Sequence, residues 1–356
     1  MTQIPKPQQG IEDSYAQHRL ALLPLSALVP PADLPATIDT LGAERFFAFL
    51  SRHGLGQVWR VYLEGLHPSS QLEQWMTPLR ENARLTAAHQ MIQRRAVAQL
   101  AELLRENEIA WFLFKGADLR EWLYHDPVLR PVSDIDFFID AADREHVIEL
   151  AGKLNFELHT NPSTVSHELT LLKKNVSIDL HWHLFRPGRA RPGLNTWLFE
   201  HREKHDTQIG LDATASLLVM LVHPAITKYL ISPTSLLIHA VDQARLIQSG
   251  RIDWDELARA LNRYGTKTAA WSSLYVLRHL AGLEAPGGFM ERIQPGRLHA
   301  AYLQQWIDRA LITKYFERRR LVAGFFSLAL QDSVQDIATA LRVKAAVSNP
   351  PLPDLS

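Results

Sequence analysis

The sequence predicts an α+β fold: a small mixed β-sheet with helices, embedded between N-terminal and C-terminal helical segments. Three observations carry that expectation. Apolar residues recur at helical spacing before residue 108 and again after residue 206. Between those stretches, short apolar or alternating runs replace the helical period. Those runs fall in the order strand, helix, strand, helix, strand, strand, strand, which suits a mixed sheet with helices on one face.

Each element follows from local pattern. Residues 1–37 are rich in proline and polar residues, with one apolar patch at 20–29, and read as an extended arm. Residues 38–108 read as an N-terminal helical segment, broken near Pro68 and Ser69-Ser70. Within it, 85–104 reads as one long helix, because Ala88, Met91, Ile92, Ala96, Ala98, Leu100 and Leu103 recur at helical spacing. The texture changes at Ile109. Residues 110–114 form an apolar run suited to a buried strand, ended by Lys115-Gly116, and 117–124 reads as a helix. After a loop holding Pro127 and Pro131, 134–139 reads as a strand, 144–153 as a helix, and 156–159, 168–173 and 177–184 as strands. An α/β domain is expected over 109–205. Helices are then expected at 213–222, 235–248, 254–264, 268–280, 302–311 and 321–343, making a C-terminal helical domain over 206–347 and a tail over 348–356. Asp253 is suited to cap one of these helices, and Gly250 to close the helix before it.

Composition narrows the chemistry. Hydrophobic residues make up 46% and charged residues 21% of 356 residues, the balance of a globular protein and not of a disordered one. Lys plus Arg equals Asp plus Glu at 38 each, so no net field draws the whole chain onto nucleic acid or an anionic membrane. The chain has no cysteine, which excludes disulfides, thiolate metal sites and cysteine nucleophiles. The apolar run of most note, 217–222, is far short of the roughly 18 residues of a membrane span. With no signal-like apolar stretch near the start, a cytoplasmic location is expected.

The chemistry concentrates in carboxylates. In Ser133-Asp134-Ile135-Asp136-Phe137-Phe138-Ile139, strand geometry sends Asp134 and Asp136 to one face and Ile135, Phe137 and Ile139 to the other. Two carboxylates side by side repel, and oxygen-only ligands suit Mg2+ or Mn2+. In Ser177-Ile178-Asp179-Leu180-His181-Trp182-His183 the same alternation places Asp179, His181 and His183 on one face. If the two strands lie side by side, Asp179 completes a three-carboxylate cluster able to hold two metal ions about 3.5–4 Å apart.

The stretch Phe112-Leu113-Phe114-Lys115-Gly116, then Leu129-Arg130-Pro131-Val132-Ser133-Asp134-Ile135-Asp136, then Ile178-Asp179-Leu180-His181-Trp182, resembles a bacterial nucleotidyltransferase family of the DNA polymerase β-like superfamily. Members of that family occur in lasso-peptide and exopolysaccharide gene clusters. The resemblance covers 109–184, with His223-Pro224 and Ile252-Asp253-Trp254 similar to the family's helical C-terminal part. It implies a metal-dependent transfer of NMP from an NTP to a hydroxyl of a small-molecule or peptide acceptor, with nucleic acid not expected. Asp134 and Asp136 would hold both metals and Asp179 the catalytic one. Lys115, Gly116, Arg130 and Ser133 would contact phosphate, and His181 would support Asp179. The wider superfamily carries Gly-Ser at the turn where this chain has Lys115-Gly116-Ala117, which leaves the serine contact without an owner.

Other readings stand beside this one. The altered turn suits a catalytically inactive nucleotide-binding module. Asp179, His181 and His183 suit a zinc-dependent hydrolase. Lys115 reads equally as a surface lysine. His223 reads as packing within the helical domain. Asp242, between Ile238, Val241 and Leu246, reads as a solvated helix face, with the cleft as its alternative. Arg186, Arg189 and Arg191 follow the metal strand and are candidates for triphosphate contact.

Overall fold

Five short strands form one mixed sheet. They are β1 (Trp111–Phe114), β2 (Ile135–Ile139), β3 (Glu157–Leu158), β4 (Glu168–Lys173) and β5 (Val176–His181), in the spatial order β1-β2-β5-β4-β3. Only the β2/β5 pair is parallel; β1/β2, β4/β5 and β3/β4 are antiparallel. The computed structural model describes residues 17–25, 33–66, 70–159, 167–206, 208–227, 236–312 and 320–348. The expected arm up to residue 16, and the expected tail from 349 on, lie outside the described residues.

The helices, in chain order, begin with α1 (Leu34–Leu41), α2 (Ala43–Arg52), α3 (Gly56–Glu64) and α4 (Ser70–Glu106). Within the sheet region come α5 (Gly116–Trp122), α6 (Arg144–Lys153) and α7 (Leu194–Glu200). A second, two-stranded sheet, β6 (Arg202–His205) with β7 (Gln208–Leu211), follows and lies against β1. The C-terminal part holds α8 (Ala213–Thr227), α9 (Leu236–Gln248), α10 (Trp254–Arg263), α11 (Lys267–Ala281), α12 (Phe289–Ile293), α13 (Arg297–Ile312), α14 (Arg320–Ala329) and α15 (Val334–Ser348). The single helix expected over 321–343 is thus two, parted by a turn at residues 330–333.

Strand alternation divides the main sheet into two buried faces. One carries Leu113, Ile135, Phe137, Ile139, Leu171, Ile178 and Leu180, packed against Val97, Leu100 and Leu104 of α4 and Val147 and Leu150 of α6. The other carries Phe112, Phe114 and Phe138, which join the core of the helical segments. Phe112 and Phe138 stack at 4.8 Å between ring centroids. Protein therefore covers part of the second face as well, whereas the sequence pattern suggested helices on one face only. The period of β1 is hidden in sequence for this reason: all four of its residues are buried.

The long helix α4 spans 37 residues, about 55 Å. Its inward stripe differs from the apolar count. Met91 and Ile92 are exposed, while Gln90 and Gln93 are buried. The reason is hydrogen bonding. Gln90 donates to the Pro127 carbonyl at 2.7 Å, and Gln93 donates to the Val132 carbonyl at 3.0 Å. Buried carbonyls of an irregular loop need donors, and these two amides supply them. They fix the loop that leads into β2.

The expected arm also contributes to the core. Leu20, Ala21, Leu22 and Leu23 are buried, and the Trp59 indole donates to the Ala21 carbonyl at 2.8 Å.

Candidate active site

β2 and β5 run parallel in a register that sets Asp136 directly beside Asp179. Side chains paired across adjacent strands share a face, so both carboxylates point to the same side of the sheet. Asp134 lies two residues earlier, just before β2 begins, where the Ser133 hydroxyl donates to its Oδ1. Thr170, the register partner of Asp179 on β4, donates to Asp179 Oδ1 at 2.8 Å.

Asp136 is the most enclosed member. Its Oδ1 accepts from Lys115 Nζ at 2.7 Å and meets His181 Nε2 at 2.9 Å. Its Oδ2 makes no hydrogen bond among the described residues. Burial alone would raise the Asp136 pKa, but the Lys115 ammonium and the His181 contact outweigh it and hold the carboxyl down to about 2. Asp179 behaves oppositely. Burial, with the charges of Asp136, Asp134 and Glu168 added and the Thr170 hydrogen bond opposing, pushes it up to about 7. The two neighbours are thus driven apart, as crowded carboxylates are when they lack a cation between them.

The turn from β1 to α5 delivers Lys115. Its backbone stands at φ +59°, ψ −139°, a conformation that favours glycine. Gly116 follows because nothing larger fits. A β-carbon there would lie 2.7–2.9 Å from the Arg130 guanidinium. Arg130 itself is buried and binds Asp242 of α9, with contacts at 2.8–3.1 Å, and also donates to the Pro131 carbonyl at 2.7 Å. Tyr124 donates to the same Asp242 at 2.6 Å. Asp242 is fully buried, so the solvated-face reading of it is corrected: its partners lie more than a hundred residues away in sequence.

Beside these groups lies a cleft of about 890 Å3. Lys115, Gly116, Arg130, Ser133, Asp134, Asp136 and Asp179 line it together. His181 stands beneath, wholly buried, its ring edge-on to Phe114 at 5.0 Å. Burial and the Lys115 charge lower its pKa, against the pull of Asp136. Of the loop arginines, Arg186 and Arg189 reach the cleft, whereas Arg191 turns away to Asp336 at 2.9–3.0 Å. His183 lies past the end of β5, and Asn195 meets its Nδ1 at 2.6 Å. Among the described residues, the groups placed to share a cation are Asp136, Asp179 and His181, and also His167, Glu168 and His181; neither includes His183 or Asp134, which lines the cleft nearby.

Sequence reasoning missed much of the opposite wall. His53 ends α2, His223 sits on α8, His239 on α9, and all three line the cleft with His167 and Glu168. His223 is buried within the helical core as expected, stacked on Phe185 at 6.0 Å, yet it also faces the cleft. Burial first, then neighbouring positive charge or other imidazoles, lowers His53 to about 4 and His223 well below its ordinary value. Burial likewise lowers His239 to about 4, with Asp242 opposing. These residues come from separate helices and share no motif; the only sequence signal was histidine within apolar helices.

No helix among the described residues is long and apolar enough to cross a membrane. A family model described as an uncharacterised nucleotidyltransferase matches residues 39–282, more than half of the chain. No curated protein matches it.

Proposed function

Since the chain belongs to this nucleotidyltransferase family, we propose that it transfers an NMP group from an NTP to a hydroxyl of a small-molecule or peptide acceptor, releasing pyrophosphate. The observation that supports this most is the Asp136–Asp179 pair across parallel strands, with Asp134 two residues upstream in the same cleft.

The donor set fits a hard divalent cation. Asp136 and Asp179 offer oxygens within 4.8 Å of one another, Asp134 lines the same cleft, Asp136 Oδ2 makes no hydrogen bond among the described residues, and burial pushes Asp179 up to about 7. Asp134, Asp136 and Asp179 would hold Mg2+ or Mn2+. Such an ion, when bound, stabilises charge on the transferring phosphoryl group and the pyrophosphate.

The chain's own groups bind and orient. Asp179, beside Asp136 and lining the same cleft, helps activate the attacking hydroxyl. Lys115, Ser133 and the loop residue Arg186 face the cleft as phosphate partners. The Gly116 backbone opens α5, where free N–H groups favour an anion. Arg130, committed to Asp242, serves by holding that turn in place rather than by direct contact.

The Lys115–Asp136 ion pair favours one alternative, a nucleotide-binding module without turnover, because it sets an internal cation on a metal ligand. Incubation with labelled NTPs, Mg2+ and a cell extract, followed by mass spectrometry, separates the two. A nucleotide adduct with pyrophosphate release is expected, and Asp134→Asn or Asp136→Asn should abolish it. Nucleotide binding with no pyrophosphate release across a broad acceptor panel would establish the module instead. An adduct that persists in both variants would overturn the carboxylate mechanism.

A further inference from the structure

Beside the three aspartates lies a second group of different chemistry. Glu168 and His181 are register partners on β4 and β5. Glu168 Oε2 lies 3.2 Å from His181 Nδ1 and 3.4 Å from His167 Nε2. All three residues offer ligand atoms within 4.8 Å of one another.

The hydrogen-bond inventory makes this cluster unusual. His181 Nε2 meets Asp136 Oδ1 at 2.9 Å, and a carboxylate only accepts, so Nε2 carries the proton. A neutral imidazole then presents a lone pair at Nδ1. That atom is buried, makes no hydrogen bond, and faces a carboxylate oxygen. Two acceptors at such a distance repel unless a proton or a cation sits between them. The donation of one ring N–H to a carboxylate, with the other nitrogen aimed at a cation, is the arrangement that orients histidine ligands in metal sites.

We propose that His167, Glu168 and His181 form a site for a Zn2+-class ion, distinct from the three-aspartate cluster and joined to it through the His181–Asp136 hydrogen bond. The distances suit it. Zn2+ bonds of about 2.0–2.2 Å give tetrahedral edges of about 3.3–3.6 Å, close to the 3.2 and 3.4 Å found. Two imidazoles and one carboxylate select a borderline ion, whereas the all-oxygen aspartate set selects a hard one. Three protein ligands leave a fourth position, and His167 and Glu168 turn it toward the cleft. The ion fixes the His181 tautomer and so the orientation of Asp136.

The test reads metal directly and does not depend on the transferase reading. The full chain is stripped with a chelator and titrated with Co2+ in excess Mg2+, which fills the oxygen site. Visible absorption and elemental analysis are followed. A single Co2+ equivalent with tetrahedral d–d bands, displaced by Zn2+, is expected. His167→Ala and Glu168→Gln should each weaken binding at least about tenfold, while Asp134→Asn retains the bands. Glu168→Gln keeps shape at a part-exposed side chain, so it preserves the fold even if His167→Ala does not. Absence of the bands, unchanged affinity in Glu168→Gln, or loss of the bands in Asp134→Asn would each overturn the proposal. An imidazolium signal from His181 with no metal bound would show that a proton fills the gap instead, and would also overturn it.

Discussion

Replacing Lys115 with glycine should give a more stable protein than replacing it with alanine. The Lys115 backbone stands at φ +59°, ψ −139°. Glycine adopts that conformation freely, whereas other residues reach it at a cost of about 1–3 kcal/mol. Both substitutions remove the same ammonium from Asp136, so that loss cancels in the comparison. Against glycine stands its larger chain entropy in the unfolded state, about 0.5–1 kcal/mol. The balance favours glycine by about 1 kcal/mol. Urea unfolding followed by tryptophan fluorescence reads this as a midpoint higher by about 0.3 M, for a slope of about 3 kcal/mol/M. Both variants should lose transferase activity, because the ammonium is gone in each. An alanine variant as stable as the glycine variant would refute the strain.

Three further outcomes follow from the same geometry. In metal-free protein, Asp179 titrates near 7 when folded, against about 4 when unfolded. A raised folded pKa stabilises fully below about pH 4 and loses that contribution as pH rises through 7. Melting temperature in chelator should therefore fall across this window in the native chain and less steeply in Asp179→Asn; parallel slopes would contradict the assignment. Asp242→Ala leaves the buried Arg130 guanidinium without its counter-ion and should cost about 3–5 kcal/mol in urea unfolding, with a loss under about 1 kcal/mol excluding the anchor role. Gly210→Ala sets a methyl group on Asp118 Oδ1, where the β6–β7 hairpin meets α5, and should destabilise by about 1–3 kcal/mol. Unchanged thermal unfolding of that variant would mean the hairpin is not clamped there.

The aspartate-bearing strands were legible because their period is unambiguous. Asp134, Ile135, Asp136 and Phe137 alternate charge with hydrocarbon, as do Ile178, Asp179 and Leu180, and the register sets Asp136 beside Asp179. Other elements were illegible for physical reasons. β6 and β7 are four residues each, and β6 reads Arg-Glu-Lys-His, which carries no apolar alternation. Gln90 and Gln93 face inward because distant carbonyls need donors, which no periodicity of apolar residues reports. Asp242 is buried only because Arg130 and Tyr124 are, and that dependence appears only after folding. The histidine wall draws one residue from each of several helices, so it leaves no local pattern. His183 keeps the alternation of β5 in sequence, but the strand has already ended at His181.

The phenylalanines beside the carboxylates bear on how small an active version of this protein can be. Phe112, Phe114 and Phe138 belong to the same core as Leu198, Leu211, Leu217 and Leu218. A fragment cut before Ala213 would keep Leu198, Phe199 and Leu211 beside those rings but lose Leu217, Leu218, Leu221 and Val222 from the same core, exposing apolar surface that a solitary soluble domain tolerates poorly. The minimal enzyme must therefore keep the helices that follow the sheet. Whatever loosens those helices disturbs the aromatic floor on which Asp136 and His181 rest.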